Sequence, residues 1–293
     1  MNECFVMKAP AKINLHLQVG NKREDGFHDI MSLFQMVDLY DEMRLSSLKT
    51  DNDCRIIGNF NCRVEDNLIY KAWQYYCKAC EQKIGVIFEV EKIIPSFAGM
   101  GGGSSDAATA LIALNKMFGL LTDKDLIRVA AKVGSDVPFF LSTTTAAIIS
   151  GKGENVSSIK KPEKLPIVLV NPEIKISTPE AYKWIDESRE DNVVLSTENE
   201  LLEIYYGEKN GYKSFYNDFT PVLEKRNNIF SVIKNNLYET GALYSNVTGS
   251  GSTVFGIYSN EKDAEKAVNV LSKEINYVQK NNLLDISPNA ILE

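Results

Sequence analysis

The chain has 293 residues, 44% hydrophobic and 24% charged, with a net charge of −7, enough for one large domain or two ordinary ones with a sizeable core. The acidic balance argues against non-specific binding to nucleic acid or anionic membrane. Uninterrupted apolar runs such as Ala110 to Leu114 fall far short of the ~20 residues that span a bilayer. The opening "MNECFVMKAPAKINLHL" has no basic stretch followed by a long apolar block, so a cytoplasmic protein is expected. Its second half, through Val19, alternates apolar and polar residues and predicts a strand; "NKREDGFHD" predicts a turn, and "IMSLFQMVDLYDEMRLSSL" a second extended run. "EDNLIYKAWQYYCKA" predicts a helix capped by Asp66, with Leu68, Ala72, Tyr75 and Ala79 on one face. Of the five cysteines, Cys77 and Cys80 form a lone C-x-x-C inside this helical stretch, which reads as buried thiols. "IGVIFEVEKIIP" alternates at period two and predicts a strand running into Pro95.

The stretch "SFAGMGGGSSDAATALIALN" comes next. Consecutive glycines are costly to order, so a loop that carries them needs positive φ or a close backbone approach. Strand, glycine loop and helix in that order describe an anion site, in which successive N–H groups and a helix N-terminus face a phosphate. The helix is expected to begin near Ser104, with Ser104 and Ser105 capping it and offering hydroxyls. Neither G-x-x-x-x-G-K-[ST] nor G-x-G-x-x-G is present in the loop. Thr122 with Asp125 predicts a capped second helix closed by Gly134.

"SDVPFFL" follows, and "TAAIIS" and "VSSIKK" flank a polar "GKGEN" loop. The polar, proline-containing "SSIKKPEKLP" marks a domain boundary, giving an N-terminal domain over 1–158 and a C-terminal domain over 159–293. Beyond it lie a strand "PIVLVNP", a helix opened by Thr220-Pro221, a glycine turn "NVTGSGSTVFGIYS" between strands, and a helix from about Asn260. The acidic segment 186–213 reads as a surface excursion. Irregularly interleaved strands and helices predict an α/β (α+β) two-domain protein.

The loop "PSFAGMGGGSSDAA" resembles the phosphate loop of the galactokinase–homoserine kinase–mevalonate kinase–phosphomevalonate kinase (GHMP) superfamily. Together with "APAKINLHL", "REDGFHDIMSLFQMVDLYDE", "GSDVPFF" and "TGSGSTVFGIY", it is similar to the 4-diphosphocytidyl-2-C-methyl-D-erythritol kinases of that superfamily, in family order from about residue 8 to 258. The resemblance implies an N-terminal domain like domain 2 of ribosomal protein S5 and a ferredoxin-like C-terminal domain. It implies ATP-dependent phosphorylation of the 2-hydroxyl of a CDP-methylerythritol substrate, with Mg²⁺ required, in a monomer or homodimer. The alternatives are another GHMP small-molecule kinase, acting on mevalonate, homoserine or a sugar, or a nucleotide-binding relative without catalysis.

By the same resemblance Asp136 is the candidate base and Lys12 the lysine beside it; a plain salt bridge tying two segments is the structural alternative. Pro95, Ser96, Phe97, Ala98, Gly99, Met100, Gly101, Gly102, Gly103, Ser104 and Ser105 form the ATP loop, with Asn67 and Lys92 near the adenine. Phe97 is bulky where some relatives are small. Phe27 and Tyr182 are expected to enclose the cytosine, with His28 reading its edge and Asn14 nearby. Thr178 in "ISTPEAY", and Gly249, Ser250 and Gly251 in "TGSGS", complete the substrate side. Asp106 either favours the helix N-terminus or helps organise Mg²⁺, and the first reading is preferred. His16 takes no role, and no residue is assigned as a metal ligand.

Overall fold

The computed structural model describes residues 4–48, 52–160, 164–189, 193–207 and 211–288. Two long antiparallel strands, β1 (Cys4–Lys22) and β2 (His28–Ser47), form the spine of the first sheet. The far edge of β2 is shared. Residues 42–47 pair with β4 (Val86–Glu91), and residues 30–35 with β5 (Ala146–Gly151). A short β3 (Cys54–Gly58) runs parallel to β4, and β6 (Asn155–Ser158) closes the other end. Helices α1 (Leu68–Ala79), α2 (Gly102–Phe118), α3 (Asp123–Val133) and α4 (Val137–Leu141) pack together, with α2 against β1 and β2.

The second sheet has the order β10 (Tyr277–Asn282), β7 (Pro166–Asn171), β9 (Val254–Ile257), β8 (Tyr244–Val247), every pair antiparallel. Counted within the sheet this is 4-1-3-2, the order of a ferredoxin-like domain. Four helices, α5 (Thr178–Ser188), α6 (Glu198–Tyr206), α7 (Phe219–Arg226) and α8 (Ile229–Glu239), lie between β7 and β8, and α9 (Glu261–Leu271) lies between β9 and β10. The two sheets are stitched together: Leu17 N–H donates to Tyr216 O, Asp218 N–H to Leu17 O, and Asn282 N–H to Asp38 Oδ1. No helix among the described residues is long and apolar enough to cross a membrane.

Three local expectations change. The cap of α1 is Asn67, whose Oδ1 accepts the Ile69 N–H at 2.9 Å; Asp66 belongs to the preceding 3-10 turn. Its buried face is Ile69, Ala72, Trp73 and Tyr76, because the two large rings gain more from burial than Leu68 or Ala79 would. Helix α2 starts at Gly102 with Gly101 in the left-handed region as cap, so Ser104 and Ser105 lie inside the first turn and cap nothing.

The segment 186–213 (of which 190–192 and 208–210 lie outside the described residues) is no loose excursion. Leu201 of α6 is fully buried, Arg189 donates to Val19 O and Gly20 O, and Gln18 Oε1 accepts the Ser196 N–H. This cover makes β1 buried on both faces through most of its length. His16 is therefore interior, packed between Phe215 and Tyr216.

Candidate active site

A cleft of about 1320 Å³ is lined by residues from β1, the 95–104 loop, α4's N-terminus, α5 and the turn that carries Gly249 and Ser250. The glycine loop forms one wall. Gly99 has φ +73°, and a Cβ there would lie 2.1 Å from Thr248 O, so the backbone of the second glycine turn is what approaches it. Gly101, at φ +69°, leaves room for Lys12 Cγ and Phe140 Cζ, which a Cβ would meet at 3.1 and 3.0 Å. The first intrahelical bond of α2 runs from Ser105 N–H to Gly101 O. The amides of Gly102, Gly103 and Ser104 thus precede the hydrogen-bond ladder at the positive end of a 17-residue helix, where an anion is favoured.

Lys12 and Asp136 stand beside this loop. Lys12 Nζ is 3.8 Å from Asp136 Oδ2, donates to Asn14 Oδ1 at 2.7 Å, and lies 4.4 Å above the Phe34 ring centroid. The lysine is 4% exposed. Burial lowers its pKa from the ordinary lysine value, and the Asp136 charge opposes the fall. Asp136 immediately precedes α4, where Pro138 fixes the turn, and its side chain is about a quarter exposed. A lysine held between an amide oxygen and a carboxylate can stabilise negative charge on an attacking oxygen, and the carboxylate is free to take its proton.

Asn14 joins the two sheets at this point. Its Oδ1 accepts from Lys12 Nζ and from Gly249 N–H at 2.8 Å, its Nδ2 donates to Ser32 Oγ, and its own N–H donates to Thr248 Oγ1. Asn14 lines the cleft and is at the same time a support for Lys12 and the glycine turn. Thr178 Oγ1 and Ser250 Oγ lie 3.1 Å apart across the cleft wall.

At the far end His28, Tyr182 and Phe27 line the same cleft. Tyr182 stacks on the His28 ring, with centroids 5.0 Å apart and planes at 25°. It does not face Phe27, which is 60% exposed with Lys152 Nζ 5.1 Å from its ring centroid. The expected two-ring enclosure is therefore not formed: Tyr182, carried on α5, meets the imidazole at the start of β2 as its nearest flat partner, while Phe27 sits out on the β1–β2 turn. Burial, with the Asp136 charge adding to it, pushes the Tyr182 hydroxyl up to about 12.

Beneath the loop Lys92 Nζ donates to Asp41 Oδ2 and, at 2.6 Å, to Asp106 Oδ2. Asp41 Oδ1 also accepts the N–H groups of Ile93 and Ile94. Burial alone would lower the Lys92 pKa, but the two carboxylates raise it. Burial, with the Asp41 charge adding to it, pushes Asp106 up to about 7 against the pull of Lys92. Asp106 is thus an interior member of a charged cluster, a correction to its reading as a helix-terminus residue. Lys92 is likewise engaged with two acids, and Asn67 with the α1 cap, although both line the cleft.

Pro95, Ser96, Phe97, Ala98, Met100 and Ser104 also line it; Ser105 and Gly251 do not. Ser105 is fully buried because the early start of α2 turns it toward the core, and Gly251 backs onto Ile176 and Leu223. Phe97 takes φ +58° and stays exposed at the cleft edge. Thr248 and Asp186 were not singled out by sequence. Thr248 lies within the "TGSGS" turn, and Asp186 lies four residues, one helical turn, beyond Tyr182, a spacing that placed it on the same face.

Comparison with known proteins bears on these features. Residues 67–144 match the GHMP kinases N terminal domain and residues 209–276 the GHMP kinases C terminal domain. The 4-diphosphocytidyl-2-C-methyl-D-erythritol kinase of Thermodesulfovibrio yellowstonii is 40% identical over 271 residues, 89% of this chain and 92% of that one. The chain belongs to the 4-diphosphocytidyl-2-C-methyl-D-erythritol kinase family of GHMP kinases. The kinase of the same name from Thermosipho africanus is 40% identical over 264 residues, 87% of this chain and 91% of that one. A crystal structure of 4-(cytidine 5'-diphospho)-2C-methyl-D-erythritol kinase superposes with a TM-score of 0.79 at 28% identity, covering 95% of this chain and 99% of that one. Homoserine kinase from Cytophaga hutchinsonii, with a TM-score of 0.76 at 17% identity over 98% of this chain and 96% of its own, shares the fold.

Proposed function

We propose that this protein transfers the γ-phosphoryl group of ATP to the 2-hydroxyl of 4-diphosphocytidyl-2-C-methyl-D-erythritol, giving the 2-phosphate and ADP in the non-mevalonate route to isoprenoid precursors. One observation carries the reading beyond family membership: a single cleft joins a helix-terminal anion site, a buried lysine–carboxylate pair and a stacked His–Tyr pair, in that order. Phosphoryl transfer asks a protein mainly for positioning and charge compensation. The α2 amides and the loop from Pro95 to Ser104 hold the phosphates, with Asn67, Lys92 and Phe97 on the nucleotide-side wall. Asp136 takes the proton of the 2-hydroxyl, and Lys12 compensates the charge that develops on the attacking oxygen. His28 and Tyr182 hold the cytosine, and Thr178, Gly249 and Ser250 border the diphosphate side.

The donors near the loop fit Mg²⁺, an oxygen-seeking ion that takes one or two protein ligands beside nucleotide phosphates. Asp106 Oδ1 is buried without a hydrogen-bond partner and Asp106 lines the cleft beside Ser104; these two would hold the ion. Bound there, it would neutralise charge on the transferring phosphate.

Residues 1–158 form the nucleotide-binding domain in this reading and 159–293 the domain that completes the substrate side. A monomer or homodimer in the cytoplasm is the working form expected in this reading. Incubation with Mg²⁺-ATP and CDP-methylerythritol, followed by ³¹P NMR, is expected to show a new 2-phosphate, with mevalonate and homoserine inert. Asp136→Asn is expected to lower kcat by about 10²–10⁴-fold. Turnover of mevalonate or homoserine in preference would replace the substrate assignment, and undiminished turnover by Asp136→Asn would remove the base.

A further inference from the structure

Asp186 closes the last turn of α5, and its Oδ1 lies 2.8 Å from His28 Nε2. The imidazole is 4% exposed, against 32% for the carboxylate. Tyr182, one turn earlier on the same helix, stacks on the imidazole face. The ring is therefore held in its plane by one α5 residue and along one edge by another. Lys22 Nζ stands 3.7 Å from the second Asp186 oxygen, a cation set against the carboxylate.

An ionised carboxylate only accepts hydrogen bonds. Beside Asp186 the proton of a neutral imidazole therefore sits on Nε2, and Nδ1 carries a lone pair. We infer that Asp186 is a positioning residue that fixes His28 in its Nε2–H tautomer, so that the site presents an acceptor to the pyrimidine edge and selects cytosine over uracil. The inference rests on the functional reading above and deepens its substrate side. Cytosine carries an amino donor at the position where uracil carries a carbonyl acceptor. A lone pair on Nδ1 bonds the first and opposes the second, leaving two acceptors face to face. Stacking cannot make this distinction, because every base offers a π-face. The opposite tautomer would invert the preference.

Two measurements test it without phosphoryl transfer. The chain has two histidines, so ¹⁵N-labelled full-length protein gives two imidazole spin systems at pH 8, assigned with His28→Gln. His28 is expected to show a protonated Nε2 and an unprotonated Nδ1. An unprotonated Nε2, or protons on both nitrogens, overturns the proposal, and this readout needs no variant of Asp186. Calorimetric titration with CDP and with UDP is expected to favour CDP by about 10-fold or more in the wild type. Asp186→Ala is expected to bring that ratio within about 3-fold, and Asp186→Glu to restore part of it. In turnover, Asp186→Ala is expected to raise KM for the cytidylated substrate while kcat changes less than about 2-fold.

A residue that merely anchored α5 would weaken both nucleotides equally; an unchanged CDP-to-UDP ratio in Asp186→Ala therefore overturns the assignment. Failure of the wild type to phosphorylate CDP-methylerythritol, with the CDP preference intact, would defeat the functional reading and leave this one standing.

Discussion

Replacing Asn14 with alanine perturbs the site without touching either proposed catalytic group. The side chain is 2% exposed and its Oδ1 accepts from Lys12 Nζ at 2.7 Å, Gly249 N–H at 2.8 Å and Thr248 Oγ1 at 3.2 Å. In Asn14→Ala the lysine ammonium and the Gly249 amide both lose a buried acceptor. Each buried donor left unmatched costs about 1–3 kcal/mol, so unfolding in urea is expected to become easier by about 2–6 kcal/mol. The remaining neighbours of Lys12 Nζ are Asp136 at 3.8 Å and the Phe34 face at 4.4 Å. Without Asn14 the ammonium moves toward the carboxylate and closes a direct pair, which engages the proposed base.

A displacement of that size is expected to lower kcat by about 10–10²-fold. Asn14→Asp keeps the acceptors for Lys12 and Gly249 and loses only the donor to Ser32 Oγ, so it should retain more activity than alanine does. Its added anion would also raise the Lys12 pKa that burial depresses. Urea unfolding and steady-state kinetics on the three proteins decide the matter. A stability loss below about 1 kcal/mol together with an unchanged kcat in Asn14→Ala would refute the claim that this amide places the lysine.

Gly99→Ala is expected to destabilise by about 2–3 kcal/mol and to raise KM for ATP, since φ +73° and a Cβ 2.1 Å from Thr248 O force the two glycine turns apart. Gly103→Ala, whose Cβ would meet only Leu68 Cδ1 at 3.7 Å, is the control and should leave urea stability equal or up to about 1 kcal/mol higher. On the alkaline side, kcat should fall as pH rises through a Lys12 pKa that burial holds below 10.5, and Lys12→Arg should abolish that limb at reduced activity; an identical limb in the arginine variant refutes the assignment. On the acid side, burial lowers the His16 pKa from 6.5 to about 4, so the unfolded chain binds the extra proton first. The stability contributed by neutral His16 is complete above about 6.5 and lost as pH falls toward 4, by at most about 3 kcal/mol, a slope that His16→Gln should flatten.

Strands were legible where apolar and polar residues alternate over a long run, as in β1 and β4, and helices where a cap residue precedes a periodic stretch, as in α3 with Thr122 accepting the Asp125 N–H. The α1 face was misplaced because Leu68 and Ile69 are equally apolar, and the Trp73 indole, donating to Ile84 O, and the buried Tyr76, its hydroxyl donating to Asn115 Oδ1, set the rotation. The phosphate loop was legible because glycine has few uses at such density. What its glycines make room for was not, since Thr248 and Lys12 approach from distant parts of the chain. The 186–213 segment misled because its charge suggested a solvated face, yet Arg189 is turned inward onto β1, where it meets Val19 O and pairs with Asp218 from the stretch before α7. Asp106 misled for a related reason: its partners Lys92 and Asp41 lie 14 and 65 residues away, and no local pattern announces a buried charge cluster.

The distant partners explain why the loop and the lysine must be placed together. Lys12 N–H donates to Met100 O, Thr253 N–H to Ala98 O, and Thr248 Oγ1 lies 3.2 Å from Gly99 O, so three successive loop residues are tied to β1 on one side and to the 248–253 turn on the other. At Gly99 the Thr248 backbone comes so close that no Cβ could intervene. The same glycines that leave the α2 amides facing the cleft therefore also fix the distance from those amides to Lys12. A side chain at Gly101 would displace both at once, because its Cβ would meet Lys12 Cγ at 3.1 Å while sitting one residue from the first free amide. Anion site and lysine are in this sense one rigid unit, and Asn14 extends it to Gly249 across the two sheets.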